Sequence, residues 1–218
     1  MAKAGPISRV HPNEGARSTR QGLIDAAVET LKAEGFAGSS ARSIARRAGC
    51  NQGLVFYHFG SVVNLLLAAL DSVSASRRDR YSAAVDAVES PSDLVDVATS
   101  IFEEDLDAGD VSVLVEMIAG ASSTPGLGAE VAQRIAPWTE FARRSVEAAL
   151  GESALGSLVP SDDVAHAVVA MYVGLEMLSH LDGDRGPARA LFGHARALAA
   201  LLSPPPPPDR PSDRSAAP

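Results

Sequence analysis

The sequence predicts an all-α fold, with a small amino-terminal group of helices followed by a larger helical domain. Three observations carry this. Apolar residues recur three and four apart along most of the chain, and no run alternates apolar with polar residues as a half-buried strand would. Serine, asparagine and glycine fall where those runs begin and end, as helix caps do. With 218 residues, 46% of them apolar, there is enough hydrophobic surface for a real core.

Residues 1–16 contain Gly5, Pro6, Pro12 and Gly15 among polar residues and read as a flexible basic arm. A first helix is expected over residues 17–34, with Leu23, Ala26, Ala27, Thr30 and Leu31 inward and Gly35 as its stop. Ser40 suits the N-cap of a short second helix, residues 41–48, whose inward face carries Ile44, Ala45 and Ala48. Gly49 permits a tight turn, Cys50 fills a small apolar slot, and Asn51 can cap a third helix running to about His58. Ser61 caps a longer fourth helix with Leu66, Leu70 and Val73 along one side.

Charge is unevenly spread. The net formal charge is −8, yet residues 1–80 hold eleven Lys and Arg against six Asp and Glu, and the rest of the chain holds eight against twenty-one. A basic amino-terminal third on an acidic remainder implies that only the first part meets a polyanion. Two short helices joined by a glycine turn form a helix-turn-helix, which places its second helix in the major groove of DNA. Arg42 can bond a guanine edge and Gln52 an adenine edge bidentately. Ser40, Tyr57 and His58 suit phosphate oxygens, and Gly53 allows close backbone approach. The expected DNA-binding domain is therefore residues 17–60.

The stretch "GFAGSSARSIARRAGCNQGLVFYHFGSVVNLLLAAL", residues 35–70, resembles the signature of the TetR family of bacterial transcriptional regulators without gaps. The resemblance covers the first four helices. Further along, the chain matches only in helical character and length. It implies that Ser40 and Arg42 lie on the second-helix DNA contacts. It likewise places Asn51, Gln52, Leu54, Tyr57 and His58 on exposed recognition-helix positions, with Val55 and Phe59 buried. Two residues depart from the pattern: Phe56 stands where a phosphate-binding tyrosine is usual, and Val62 where a lysine is usual. Tyr57 and the basic residues Lys3, Arg9, Arg17 and Arg20 could compensate.

Residues 61–202 read as a ligand-binding and dimerisation domain. Ser92 is expected to cap a helix with Leu94, Val97, Ala98, Ile101 and Phe102 on one face and a solvated acidic end at Glu103, Glu104 and Asp105. Gly109 breaks it. Asp110 leads into a helix with Val113, Leu114, Met117, Ile118 and Ala121. Residues 124–126 make a turn, and a helix over about 127–150 is expected to kink at Pro137. Candidate ligand-pocket residues are Phe102, Met117, Trp138, Phe141 and Met171, with Glu116 and Glu176 as polar anchors in apolar runs. Each apolar candidate could equally be core.

Residues 164–181 are apolar nearly all round, but His166, Glu176 and His180 argue against a membrane span. Such a helix must bury more than one face. The last helix, about 187–202, presents Leu191, Ala195, Leu198 and Leu202, a stripe suited to pack beside it. Two such helices from each subunit would form a homodimer interface over about 162–182 and 187–202, as in TetR relatives. A dimer reads two half-sites of a palindromic operator. Residues 203–218 form a proline-rich polar tail, expected to be disordered.

No HExxH, phosphate loop or GxSxG elbow is present, and no enzyme is expected. His166 and His180 lie about 21 Å apart along one helix and cannot share a metal. The single cysteine, Cys50, belongs to no zinc spacing. No cofactor or metal is called for, and without a secretory h-region a cytoplasmic protein is expected. The resemblance thus implies a repressor whose dimer binds an operator and is released by a mainly apolar small-molecule effector. Alternatives are an activator or ligand-independent regulator of the same fold, or a helical enzyme or lipid-carrier module with a DNA-binding head.

Overall fold

The computed structural model describes residues 12–150 and 160–202; most of the arm and all of the proline-rich tail lie outside the described residues. In chain order the helices are α1 (Pro12–Gly38), α2 (Ala41–Arg47), α3 (Gly53–Phe59), α4 (Val62–Asp86), α5 (Pro91–Ala108), α6 (Asp110–Ala121), α7 (Leu127–Leu150), α8 (Ser161–Asp182) and α9 (Gly186–Leu202). Among the described residues there is no strand. Helix α1 begins at Pro12, so residues 12–16, expected in the arm, are helical.

Gly35 ends regular α1 with φ 69° and ψ −178° before a last turn reaches Gly38. Two constraints hold glycine there. The positive φ excludes ordinary side chains, and a Cβ would sit 2.8 Å from Glu116 Oε2 on α6. The next residue, Phe36, lays its ring against Gly120 of the same helix, where a Cβ would come within 2.5 Å of the ring.

Leu23, Ala27 and Leu31 of α1, Ile44 of α2, Val55 of α3 and Leu65 and Leu66 of α4 form the inside of the amino-terminal head. The same cluster continues without a gap into Val113 and Met117 of α6 and Leu127 and Val131 of α7. Head and body therefore share one core, so a displacement of α4 or α6 in the body is felt in the head.

In the body, Ser90 caps α5, its hydroxyl accepting from Asp93 N–H at 3.2 Å, with Pro91 in the first turn. This corrects the expected cap at Ser92: proline is well placed at the first helical position, where no intrahelical N–H bond is lost. Gly109, at φ 66°, both ends α5 and starts α6. Helix α7 runs from residue 127 to 150 with Pro137 inside it.

Helix α9 lies along α5 through Ala188 and Phe192, which meet Phe102. Ion pairs flank that contact: Arg189 with Glu103 at 2.5 Å, Arg185 with Asp107 at 2.6 Å, and Arg196 with Asp96 at 2.8 Å. In the expected stripe, Leu191 and Leu198 face outward and are exposed in the single chain. Phe192 and Ala188 had carried no weight in the sequence, because alanine and one aromatic make a weaker stripe than leucines at seven-residue spacing. Among the described residues, α8 is the one helix long and apolar enough to cross a membrane. Its Ala165, Glu176 and Ser179 are buried within the helical body.

Candidate nucleic-acid interface and ligand cavity

The start of α2 is built by two serines. Ser40 Oγ accepts from Ser43 N–H at 3.1 Å, and Ser43 Oγ accepts in return from Ser40 N–H at 2.9 Å. This reciprocal cap satisfies two end donors. The Ser40 hydroxyl, one of the candidate phosphate ligands, is thus already engaged in capping. Arg42 is exposed, as is Arg46 four residues on. Residues at that spacing share a helix side, so two guanidinium groups project together. Arg47 turns back instead, to Thr30 Oγ1 at 3.1 Å and Glu34 Oε1 at 3.1 Å. Arg46 was legible in the sequence from its spacing to Arg42.

At the turn, Asn51 Oδ1 accepts from Gly53 N–H at 2.8 Å, so the Asn51 side chain shapes the turn into α3. Gln52 and Gly53 are exposed. Val55 is fully buried and anchors α3 to the head core, while Leu54 and Phe59 are half-buried against the same core. Tyr57 is 80% exposed and Phe56 52% exposed, large figures for aromatic rings on a folded surface. His58 meets the Tyr57 ring edge-on at 4.9 Å. The guanidinium of Arg20 lies 5.0 Å from the Phe59 ring centroid, which brings a cation from α1 to the end of α3.

Gly60, with φ 75°, and Ser61, which caps α4 by accepting from Asn64 N–H at 3.1 Å, set the angle between α3 and α4. Asn64 Nδ2 also donates to Phe59 O at 2.9 Å. Val62 is half-buried against the head core. The lysine usual at this position is thus exchanged for packing. Arg42, Gln52, Gly53 and Tyr57 are solvent-facing, whereas Ser40 and Asn51, also exposed, are partly occupied in local hydrogen bonds and Leu54 and His58 are half-buried.

The body holds a partly open, mainly apolar cavity of about 110 Å³ among α4, α5, α7 and α8, with Asp110 and Leu114 contributed by α6. Of the candidate ligand-pocket residues, Trp138, Phe141 and Glu176 line it. Four other candidates do not. Phe102 and Met117 are fully buried in core clusters, and Met171 is 43% exposed on the outer side of α8. Glu116 is the carboxylate that holds Phe36 N–H at 2.8 Å, at the junction of head and body.

Arg77, Tyr172 and Glu176 make one wall of the cavity polar, and a buried cluster lies behind them. Asp105, expected on a solvated helix end, is completely buried and accepts from Arg77 Nε at 3.0 Å, from Arg77 Nη2, from Tyr81 OH at 2.9 Å and from Tyr172 OH at 2.6 Å. The correction has a simple cause. Asp105 falls three and four residues after Phe102 and Ile101, on the inward side of α5. Burial works against the Arg77 charge, but Asp105 and then Glu176 outweigh it and hold the guanidinium protonated. Burial and the neighbouring carboxyl groups hold the Tyr81 and Tyr172 hydroxyls neutral. Burial pushes the Glu176 carboxyl up to about 8, only partly offset by Arg77.

Arg77, Tyr81 and Tyr172 were missed in the sequence, though Arg77 and Tyr81 had a signal: they continue the buried stripe Leu66, Leu70, Val73 at four-residue steps. A cation at an inward helix position needs a buried partner. Asp110 lines the cavity and also accepts from Lys32 Nζ of α1 at 3.0 Å, a direct tie between cavity and head.

A helix-turn-helix head with an exposed second-helix face, sharing its core with a cavity-bearing helical body, defines the class of protein. Residues 23–69 match the profile described as "Bacterial regulatory proteins, tetR family". The match covers the helix-turn-helix head, residues 23–69 of 218. An uncharacterised HTH-type transcriptional regulator, TtgW, of Pseudomonas putida is 42% identical over 57 residues, which are 26% of this chain and 42% of that relative. The match thus spans about two fifths of the relative's own length. A TetR-family member from Streptomyces coelicolor A3 is similar in structure, with a TM-score of 0.63 and 26% identity over 85% of this chain and 98% of that one. The transcriptional regulator FadR from Bacillus subtilis, solved in complex with stearoyl-CoA, has the same fold, with a TM-score of 0.69 at 14% identity over 84% and 97% of the two chains.

Proposed function

We propose that the chain is a cytoplasmic transcriptional regulator, a repressor, that binds a palindromic operator as a homodimer and releases it when a mainly apolar small molecule occupies the body cavity. The observation that carries this is the solvent-facing set Arg42, Gln52, Gly53 and Tyr57 on a head whose core is continuous with the cavity-bearing body. Arg42 and Gln52 have the donors and acceptors that read base edges, and Tyr57 and His58 reach phosphates. The exposed apolar residues Met171, Leu178 and Leu181 of α8 and Leu191, Leu198 and Leu201 of α9 are the face for the second subunit. The FadR complex supports a ligand-holding role for a body of this fold.

The mechanism follows from linkage. An effector shifts the balance between two dimer states only by binding them unequally. The cavity touches α4, which enters the head, and Asp110, which holds Lys32 of α1. An occupant that moves α4 or Asp110 therefore changes the spacing of the two α3 helices. Selection of bound fragments from the source genome with the purified chain tests the reading. A palindromic sequence should be enriched, and compounds that relieve its retention in a gel should do so through the cavity. Failure to enrich any palindrome overturns it.

A further inference from the structure

Asp105 is saturated with four donor contacts, yet Glu176, which lines the cavity beside Arg77 and Tyr172, is not. Its Oε1 is buried, accepts no hydrogen bond and lies 4.0 Å from Arg77 Nη2. Glu176 is 1% exposed, and a buried carboxyl oxygen without a partner is costly. The charged groups around it, taken helix by helix, are each engaged with another partner, and none donates to this oxygen. Arg77 on α4 is bidentate to Asp105 of α5. Tyr172, one turn earlier on α8, gives its hydroxyl proton to Asp105. Asp110 on α6 is already paired with Lys32 at 3.0 Å and approached by Arg80 at 3.9 Å. Arg134 on α7 is paired with Asp71 and Glu130. The Arg77, Asp105 and Glu176 group thus has one cation for two carboxyl groups.

We infer that the cavity takes a small apolar amine, bound as its ammonium ion with the nitrogen on Glu176 Oε1 and its hydrocarbon among Val97, Ile101, Trp138, Phe141 and Val169. The inference rests on reading this cavity as the ligand site. An incoming ammonium supplies the missing cation. Glu176 gives its proton to solvent as the ammonium arrives, so one proton leaves for each cation that enters and the buried charge stays balanced. An anion would have to pull Arg77 from Asp105 and leave a buried carboxylate behind, which is the costly direction. Size sets what the interior holds: an apolar cavity of roughly 150 Å³ takes one benzene ring, and the interior of this partly open one is about 110 Å³. A single ring or a short branched chain is the scale it accepts with slight expansion.

Trp138 is the sole tryptophan and lines the cavity, so its fluorescence reports occupancy without any DNA. The full chain is titrated with benzylamine, benzyl alcohol and benzoate, three probes with the same ring. At pH 7.5 benzylamine should bind saturably and about 10- to 100-fold more tightly than the other two. Its affinity should rise close to tenfold per pH unit between pH 6 and 7.5 and level off above 8, as release of one proton requires. Calorimetry of the wild type at pH 7 in phosphate and in Tris should show close to one proton released per amine bound. Glu176→Gln should abolish both the amine preference and the pH dependence. If that variant does not fold, the proton count on the wild type decides alone.

Absence of a saturable response to benzylamine overturns the proposal. So does binding of benzyl alcohol or benzoate as tight as that of the amine, a proton count near zero, or an unchanged preference in a folded Glu176→Gln chain. Operator binding with no amine response would sink this inference and leave the regulator reading intact. Amine binding with no operator would do the reverse.

Discussion

Glu116 Oε2 of α6 accepts the backbone N–H of Phe36 at 2.8 Å, in the turn that ends α1. The bond sits where the head meets the body, with Gly35 beside it at positive φ and no room for a Cβ. Phe36 N–H lies one residue past the glycine break, where the regular helical pattern has failed. A carboxylate from the other domain therefore does the work of a helix cap.

Replacing Glu116 with alanine should cost about 1–3 kcal/mol in urea unfolding, because a part-buried donor loses its partner. Glu116→Gln keeps an acceptor and should cost less. In the regulator reading, Glu116→Ala should also weaken the effect of ligand on operator binding more than operator binding itself. Gel-shift titration with and without effector compares the two. Equal loss in both would show that the bond only stabilises the fold.

The Glu176 carboxyl gives a pH signature. Its value is raised from the usual 4.5 to about 8 in the folded chain. Below pH 4.5 both folded and unfolded states hold the proton and nothing is lost. Between 4.5 and 8 the unfolded chain gives up its proton while the folded chain keeps it, so stability falls as pH rises. Glu176→Gln lacks this term. Relative to wild type, its stability should increase by on the order of 1 kcal/mol per pH unit from pH 5 to 8. Urea midpoints at pH 5, 6.5 and 8 measure the trend, and a flat difference contradicts it.

Much of the fold was legible in the sequence because caps and stripes are local. Ser40, Ser61, Gly109 and the apolar faces of α1 and α4 needed only their neighbours. The pocket was harder. Phe102, Met117 and Trp138 are alike as sequence symbols, and only the packing of distant helices separates the first two, which are core, from the third, which faces a cavity. Glu116 and Glu176 both sit in apolar runs, yet one faces α1 and the other Arg77. The Arg77 and Asp105 pair joins residues 28 positions apart. Asp105 alone read as a solvated charge; its helical phase was the clue that it is buried.

On the DNA face, Arg42 and Arg46 should behave differently although they share a side of α2. Arg42→Ala should cost about 1–3 kcal/mol and relax base preference at one position per half-site. Arg46, a turn further from the helix start, is expected to meet phosphate, so Arg46→Ala should weaken all sequences alike and lower the salt slope by about one unit. Binding to a randomised half-site library at two salt concentrations resolves both. Uniform weakening by Arg42→Ala would assign that residue to phosphate as well.

Phe56 and Val62 predict a weak grip on the DNA backbone. One presents a bare ring to solvent, and the other packs on the head core where a cation would reach outward. The slope of log affinity against log salt should be shallower than in relatives carrying tyrosine and lysine there, by roughly one to two units. Val62→Lys should steepen it by about one unit, since it adds one phosphate contact. Phe56→Tyr adds a neutral hydroxyl and should raise affinity with little change in slope. A steep slope in the wild type would show that Arg17, Arg20 and the arm make up the deficit.

The proposed subunit interface is tested at two exposed leucines of α8 and α9. Leu178 on α8 is 58% exposed and Leu198 on α9 is 63% exposed, so neither holds the single chain together. Leu178→Glu with Leu198→Glu should leave helicity intact while converting a dimer into a monomer, because two carboxylates per subunit would be buried without partners. Sedimentation velocity reads the change in mass. Operator affinity should fall at least about a hundredfold, since each head then binds one half-site without its linked neighbour. A double variant that remains a dimer would place the interface elsewhere on the body.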